Sequence, residues 1–452
     1  MKKLVYFIAA LAIVSCKSEP TFVKFSGKIT NPNGDKVTIL QGGKKIKTIN
    51  IGEDGVFSDT INNIEKGYYS FSDGKESSSI YLQNGYDMNL ELDTKEFDES
   101  IKYTGNGSDI NNYLVSKFLI KEKNPDKELY ALNETEFLSK ANETNKMLHD
   151  KLATIKDADF NVIETKVLKF EKASNLNMYQ GYHSYLTKDR DFKVSDDFPN
   201  AFEGIAMDNN EDFKNIPAYQ NIVMSDFGKK VSEIVKKDSI TPLQEVQINL
   251  IKTIKGENIK NGLLKNLAYN VSVRNEKANE LYKEIMALST DDKFKKTLTK
   301  QFDNIKKTAK GQNSPSFDNY ENHKGGTTSL SDLKGKYVYV DVWATWCGPC
   351  KREIPFLKEV EKKYHGKNIE FVSISVDTKK DHDKWVAMVN EKELGGIQLF
   401  ADADWKSKFV TDYGIKGIPR FILIDPNGKI VSASAPRPSE EALIKLFNEE
   451  NI

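Results

Sequence analysis

The chain has 452 residues, enough for about three domains at ~150 residues each. Hydrophobic residues make up 38% and charged residues 29%, the balance of soluble domains with ordinary cores and wet surfaces. Lys+Arg and Asp+Glu both number 66, so the net charge is zero and nothing argues for a nucleic-acid partner or a polybasic membrane face.

The amino terminus reads as a targeting signal. Lys2 and Lys3 supply a positive start, and residues 4–14 form a short apolar stretch. It ends in Leu11-Ala12-Ile13-Val14-Ser15-Cys16, which resembles a bacterial lipobox. The resemblance implies cleavage of residues 1–15 and lipid on the sulfur and new amino group of Cys16. Several acyl chains anchor stably where one alone is marginal. The implied location is the bacterial cell envelope, held in the lipid bilayer through acylated Cys16 and facing the periplasm. Lys17 in place of Asp favours the outer over the inner membrane. After residue 20 no apolar run approaches the ~18 residues of a membrane helix.

Residues 16–105 carry a β-like pattern. Short apolar runs alternate with turn signals such as Asn31-Pro32-Asn33-Gly34, Asp54-Gly55 and Asn84-Gly85. Met88, Leu90 and Leu92 alternate with Asp87, Asn89, Glu91 and Asp93, as in a half-buried strand. An antiparallel sandwich-like β domain is expected.

Residues 106–310 turn helical. Leu263, Leu264, Leu267, Ala268 and Val271 repeat at three- and four-residue spacing, as do Leu281, Ile285 and Met286. Pro125, Pro199, Pro217 and Pro242 mark expected helix boundaries. Tyr179, Tyr182, His183 and Tyr185 read as one buried helical face. No functional site is legible before residue 311.

Gly311-Gln312-Asn313-Ser314-Pro315 reads as a linker into a last domain, 311–452. Strands are expected at 337–343, 369–376, 398–401, 421–424 and 429–433, the last two joined by a turn at Pro426-Asn427-Gly428. Helices are expected at 349–364, 381–392, 406–413 and 440–448. The opening β-α-β points to an α/β layer fold.

The chemistry sits in Trp346-Cys347-Gly348-Pro349-Cys350. With Cys16 assigned to the lipobox, Cys347 and Cys350 are the two remaining cysteines of three. An exported protein meets an oxidising space. Yet a disulfide closing so short a loop stabilises a fold by only about 2 kcal/mol. Redox chemistry is the better reading of a lone pair. A strand running into the motif and a helix starting at it put Cys347 at a helix amino end, where free N–H groups favour a thiolate. Cys347 is therefore expected to be the exposed, low-pKa nucleophile and Cys350 the buried resolving thiol. Lowering a thiol from ~8.5 to ~7 raises the thiolate roughly 16-fold, but lower nucleophilicity leaves only about a threefold gain in rate. Such a site tunes a redox equilibrium more than it speeds attack.

The stretch from Asp341 to Lys351 resembles the thioredoxin signature, and Tyr413-Gly414-Ile415-Lys416-Gly417-Ile418-Pro419 resembles the thioredoxin segment that ends in a cis-proline. Thioredoxin is itself the standard example of a Cys-x-x-Cys site with a lowered pKa. Pro315-Ser316-Phe317, 329–336, Glu353-Ile354-Pro355 and the helix after Asp377 point to the exported TlpA-like branch. Phe25-Ser26-Gly27, Asp54-Gly55-Val56-Phe57 and Tyr103-Thr104-Gly105 resemble the small β domain, of unknown function, at the front of many such lipoproteins. The resemblance implies that Cys347 attacks a client disulfide and Cys350 resolves it. It gives Pro419 the cis form, Ile418 a backbone contact with the client and Trp346 a place beside the thiol. It also makes Asp341 a proton acceptor for the resolving thiol and puts Glu353 near the dithiol. Arg420 departs from the threonine common after that proline.

The resulting expectation is a membrane-anchored thiol-disulfide oxidoreductase. Gly348-Pro349 is the dipeptide of reducing members, so it would reduce exported disulfide-containing proteins with electrons from a membrane donor. The redox-active disulfide would serve in place of a cofactor, and no metal is expected. The alternative is a binding or scaffold lipoprotein in which the carboxy-terminal fold is secondary. A peroxidase would want a single cysteine preceded by threonine at fixed spacing, which Trp346 to Cys350 does not supply.

Overall fold

The computed structural model describes residues 20–275 and 277–452. The expected signal segment 1–15 and the expected lipidation site Cys16 lie outside the described residues. Two compact units are present, and their division falls within the helical region. The first comprises residues up to 207 with 215–225, and the second 208–214 with 226–452.

Among the described residues of the first unit, eight strands form two four-stranded sheets. They are β1 (Phe22–Thr30), β2 (Lys36–Gln41), β3 (Lys44–Asn50), β4 (Val56–Asn62), β5 (Gly67–Ser72), β6 (Ser77–Leu82), β7 (Asp87–Asp93) and β8 (Lys102–Asn106). The sheet orders are β4-β1-β7-β8 and β3-β2-β5-β6. The period-2 pattern of β7 holds, with Met88, Leu90 and Leu92 all buried. Phe25 of one sheet packs edge-on against Phe57 and also meets Phe71 of the other. One pairing corrects the antiparallel expectation: β1 and β7 run parallel. No hairpin joins strands so far apart in the chain, and a long connection leaves the parallel direction open.

The helices Ser108–Glu122, Glu134–Leu152 and Ala158–Thr187 share the core of these sheets through Ile110, Leu114, Leu148, Phe160 and Leu168. Asn111 is fully buried and closes on both backbone groups of Tyr81, at 2.8 and 3.0 Å. Pro125 and Pro242 cap helices and Pro217 opens one, as expected of residues that lack an N–H. The aromatic face on Ala158–Thr187 is only partly buried. Tyr179 is enclosed, whereas Tyr182 and Tyr185 are exposed. At 100° per residue position 185 lies about 120° round from 179, whereas 182 lies only about 60° round and stays exposed although it stacks on Tyr130.

The second unit pairs the helices Leu243–Thr253, Glu257–Leu267, Ala278–Leu288 and Asp292–Lys307 with a seven-stranded sheet. Its strands are β9 (Tyr320–Asn322), β10 (Thr327–Thr328), β11 (Tyr337–Trp343), β12 (Ile369–Ser375), β13 (Ile397–Phe400), β14 (Arg420–Ile424) and β15 (Ile430–Ser432), ordered β10-β9-β13-β12-β11-β14-β15. Central β11 reads Tyr-Val-Tyr-Val-Asp-Val-Trp and is buried on both faces from Val338 onward, as a strand under two helical layers must be. One face packs on Trp385, Val389, Phe409 and Val410. The other packs on Leu357, Val360, Leu443 and Phe447. The Gly311–Pro315 stretch is no free tether. Gly311 donates to Ile430, Ile430 to Gln312 and Ser314 to Gly428, at 2.8, 2.8 and 2.9 Å. Those bonds satisfy the otherwise open edge of β15.

Candidate active site

β11 ends at Trp343, and four residues later the helix Gly348–Lys363 begins with Cys347 as its N-cap. The Cys347 sulfur accepts the Cys350 backbone N–H at 3.1 Å. Cys347 and Cys350 are joined by a disulfide of 1.99 Å, with their Cα atoms 5.3 Å apart. Pro349 sits in the first turn, where its missing donor leaves no bond unmade. The Ile418-Pro419 peptide bond is cis. β14 starts at the next residue and pairs Arg420 with Val342, so Pro419 lies at the end of the sheet where β11 delivers the cysteines. Ile418 packs on the cluster that contains both sulfurs.

The expected exposure of Cys347 is corrected. In this oxidised state it is 4% exposed, as enclosed as Cys350 at 3%. Its sulfur is bonded to Cys350 and turned toward the helix N–H groups, so it is withdrawn from solvent. Trp346 is 58% exposed beside it and offers a flat apolar surface next to the thiol.

Asp341 sits on β11 opposite Phe421. It is buried, and its Oδ1 has no hydrogen-bond partner among the described residues. Burial, then the charges of Glu353 and Glu361, push its carboxyl from an ordinary 3.8 up to about 8. A carboxyl poised there can hold or release a proton near neutral pH. Glu353 lies three residues beyond Cys350 on the active-site helix and is also buried. It accepts from both the backbone N–H and the hydroxyl of Ser439 at 3.1 Å, with Arg437 at 3.8 Å. It is therefore no solvated helix residue.

Two groups escaped the sequence reading. Asp377 is buried at the end of β12, where its carboxylate accepts from the Thr345 N–H, the Thr345 hydroxyl and the Ser375 hydroxyl, each at 2.8 Å. It clamps the loop two residues before Cys347. Its only sequence signal was position, just past a buried strand. Glu361, two turns beyond Glu353, is raised to about 7 mainly by burial.

Among the described residues no cluster of three or more His, Cys, Asp or Glu could hold a metal, and no helix is long and apolar enough to cross a membrane. The first unit has a cavity of about 530 Å³, lined by Phe118, Lys121, Glu171, Asn175 and Asn221 among others, that contains none of the expected site residues.

Residues 309–445 match the Redoxin family model. The chain is 32% identical over 120 residues to "Thiol-disulfide oxidoreductase ResA" of Bacillus anthracis, covering 26% of this chain and 66% of that protein. Against the Bacillus subtilis protein of the same name it is 29% identical over 140 residues, covering 31% and 75%. The chain thus spans about two thirds of the first of these relatives and three quarters of the second. A solution structure from Bacteroides vulgatus, described as a thiol-disulfide oxidoreductase, is 53% identical across 30% of this chain and 86% of its own, with a TM-score of 0.28. A thiol-disulfide oxidoreductase of Bacteroides fragilis is 29% identical across 31% and 99%, with a TM-score of 0.28.

Proposed function

We propose, for a chain whose carboxy-terminal domain belongs to the TlpA-like thioredoxin-fold family, that Cys347 and Cys350 reduce disulfides of exported proteins. The observation that carries this reading is a Cys-x-x-Cys pair at a helix amino end, at the same end of the sheet as a cis-proline, with a buried carboxyl on the strand that leads into it.

In the reduced state the Cys347 thiolate attacks one sulfur of a client disulfide. A Cys347–client mixed disulfide forms, and the first client sulfur leaves as a thiolate that takes up a proton. Cys350 then gives its proton to the ionised form of Asp341 and attacks the Cys347 sulfur, and Asp341 returns that proton to the client sulfur that leaves. The second client thiol leaves and the Cys347–Cys350 disulfide closes. Two electrons and two protons pass to the client. Trp346 borders the dithiol, and the Ile418 backbone pairs with the client chain. Burial, then the neighbouring Glu353 that Ser439 holds in place, sets Asp341 at about 8, where its carboxyl can both take up and return a proton. A membrane dithiol donor returns the pair to its reduced state.

The purified chain is expected to cycle fully between dithiol and disulfide in glutathione and dithiothreitol buffers, and its reduced form to turn over a disulfide-bonded model protein. A pair that cannot be cycled at any potential in that range sinks the reading.

The sequence around Cys16 supports a lipid anchor in the envelope, more in keeping with the outer than the inner membrane. Mass spectrometry of the membrane-extracted chain should find an amino terminus at Cys16 carrying acyl mass. An unmodified amino terminus elsewhere overturns the anchor.

A further inference from the structure

The strand that follows the cis-proline opens on Arg420, which lies opposite Val342 and so on the sheet face that packs the two sulfurs. This side chain is half-buried, and its Nε is buried with no hydrogen-bond partner among the described residues. A guanidinium partly withdrawn from water, with a buried nitrogen unpaired and no anion beside it, is costly. The loop that follows the helix Glu257–Leu267 does not relieve it. Val273 of this loop packs on the same cluster as Cys347. Arg274 donates through its Nε to the Ser434 hydroxyl at 2.8 Å. The next residue, Ala435, donates to the Phe421 carbonyl, so Arg274 is moored one residue from the partner of β14.

The loop thus brings a second cation to the first. Burial, then the charge of Arg274, lowers Arg420 to about 10, which leaves it charged at neutral pH. A third cation, Lys416, stands two residues before Ile418 and donates to the Gln301 side chain at 3.4 Å. Asp412, the nearest carboxylate back along the chain, is engaged by Lys408. Three positive side chains therefore belong to this region, Lys416 three residues before the cis-proline, Arg420 just after it and Arg274 near Arg420, and the hydrogen bonds and ion pairs among the described residues give none of them a carboxylate.

We infer that Arg420, Arg274 and Lys416 form a subsite for an acidic side chain of the client, next to its disulfide, so that this protein selects acidic clients. An Asp or Glu in the client would supply the missing anion to Arg420 and reach Arg274 from the solvent side. The arginines present planar, bidentate donors suited to a carboxylate. The helical segment before residue 310 then has a task in client selection, because it delivers Arg274 to Arg420. The inference rests on the dithiol reading above.

The test uses the full reduced chain and amidated peptides, each with one internal disulfide flanked by Glu, Gln or Lys. At low salt the Glu peptide is expected to show about tenfold higher kcat/KM than the Gln peptide, with the Lys peptide lowest. That preference should fall to within about twofold in Arg274→Gln and in Arg420→Gln, and also in about 0.5 M salt. Arg274 is exposed, so its variant stays informative should Arg420→Gln fail to fold. Equal kcat/KM for Glu and Gln peptides, or a preference that survives both substitutions, overturns the acidic subsite and leaves the dithiol reading intact. Failure to reduce any of the peptides sinks the dithiol reading, and the subsite with it.

Discussion

Cys347→Ser is expected to lower the reduction of a disulfide-bonded substrate at least about a thousandfold, to background, because removing a nucleophile removes the first covalent step. A serine hydroxyl at the helix amino end is neither a thiolate nor able to form a disulfide. Cys350→Ser should fail differently. There Cys347 still attacks, but nothing resolves the product, so Cys347–client adducts accumulate and appear as mass-shifted bands on non-reducing gels. Both variants should fold, since the short loop the bridge closes is worth only about 2 kcal/mol. The contrast between silence and trapping assigns the two sulfurs. Undiminished activity in Cys347→Ser, or trapping by that variant in place of Cys350→Ser, would reverse the assignment.

The second large effect lies in Asp341→Asn. With the carboxyl raised from 3.8 to about 8, the folded protein keeps a proton that the unfolded chain gives up between those values. The sign follows from proton binding. Below pH 4 both states are protonated and the stability is present in full. It falls as pH rises through the window and is lost above about pH 8. A carboxyl raised that far changes stability by something on the order of 5 kcal/mol across the window. Glu361, raised to about 7, adds a smaller effect of the same sign. Denaturant unfolding of the oxidised protein from pH 4 to 9 should show this decline. In Asp341→Asn it should flatten, and above pH 8 the variant should be the more stable protein. The same substitution should slow the resolving step about 10²- to 10⁴-fold, the range for losing a positioned proton acceptor. An unchanged pH slope would show that Asp341 is not held protonated in the fold.

Much of the catalytic domain was legible because its signals are local. β11 was expected at 337–343 and is observed there, since seven residues of which six are apolar suit a buried strand. The Cys-x-x-Cys motif and the proline were readable in order, and register alone brings them to one end of the sheet. The parallel pairing of β1 with β7 was not legible, because strand alternation fixes a face and not a neighbour. Nor was the exposure of Tyr182 and Tyr185, which depends on what else covers a helix.

The sequence by itself determined the reactive pair, its place at a helix start and the alternation of strands and helices, because spacing, chirality and turn chemistry act over a few residues. Only the tertiary structure decided what surrounds that pair. Ser439 holds Glu353 from 86 positions away, Asp377 clamps Thr345 from 32, and Arg274 reaches Ser434 across 160. Such contacts form when separate elements pack and exclude water, and no periodicity along the chain records which side chains will then meet.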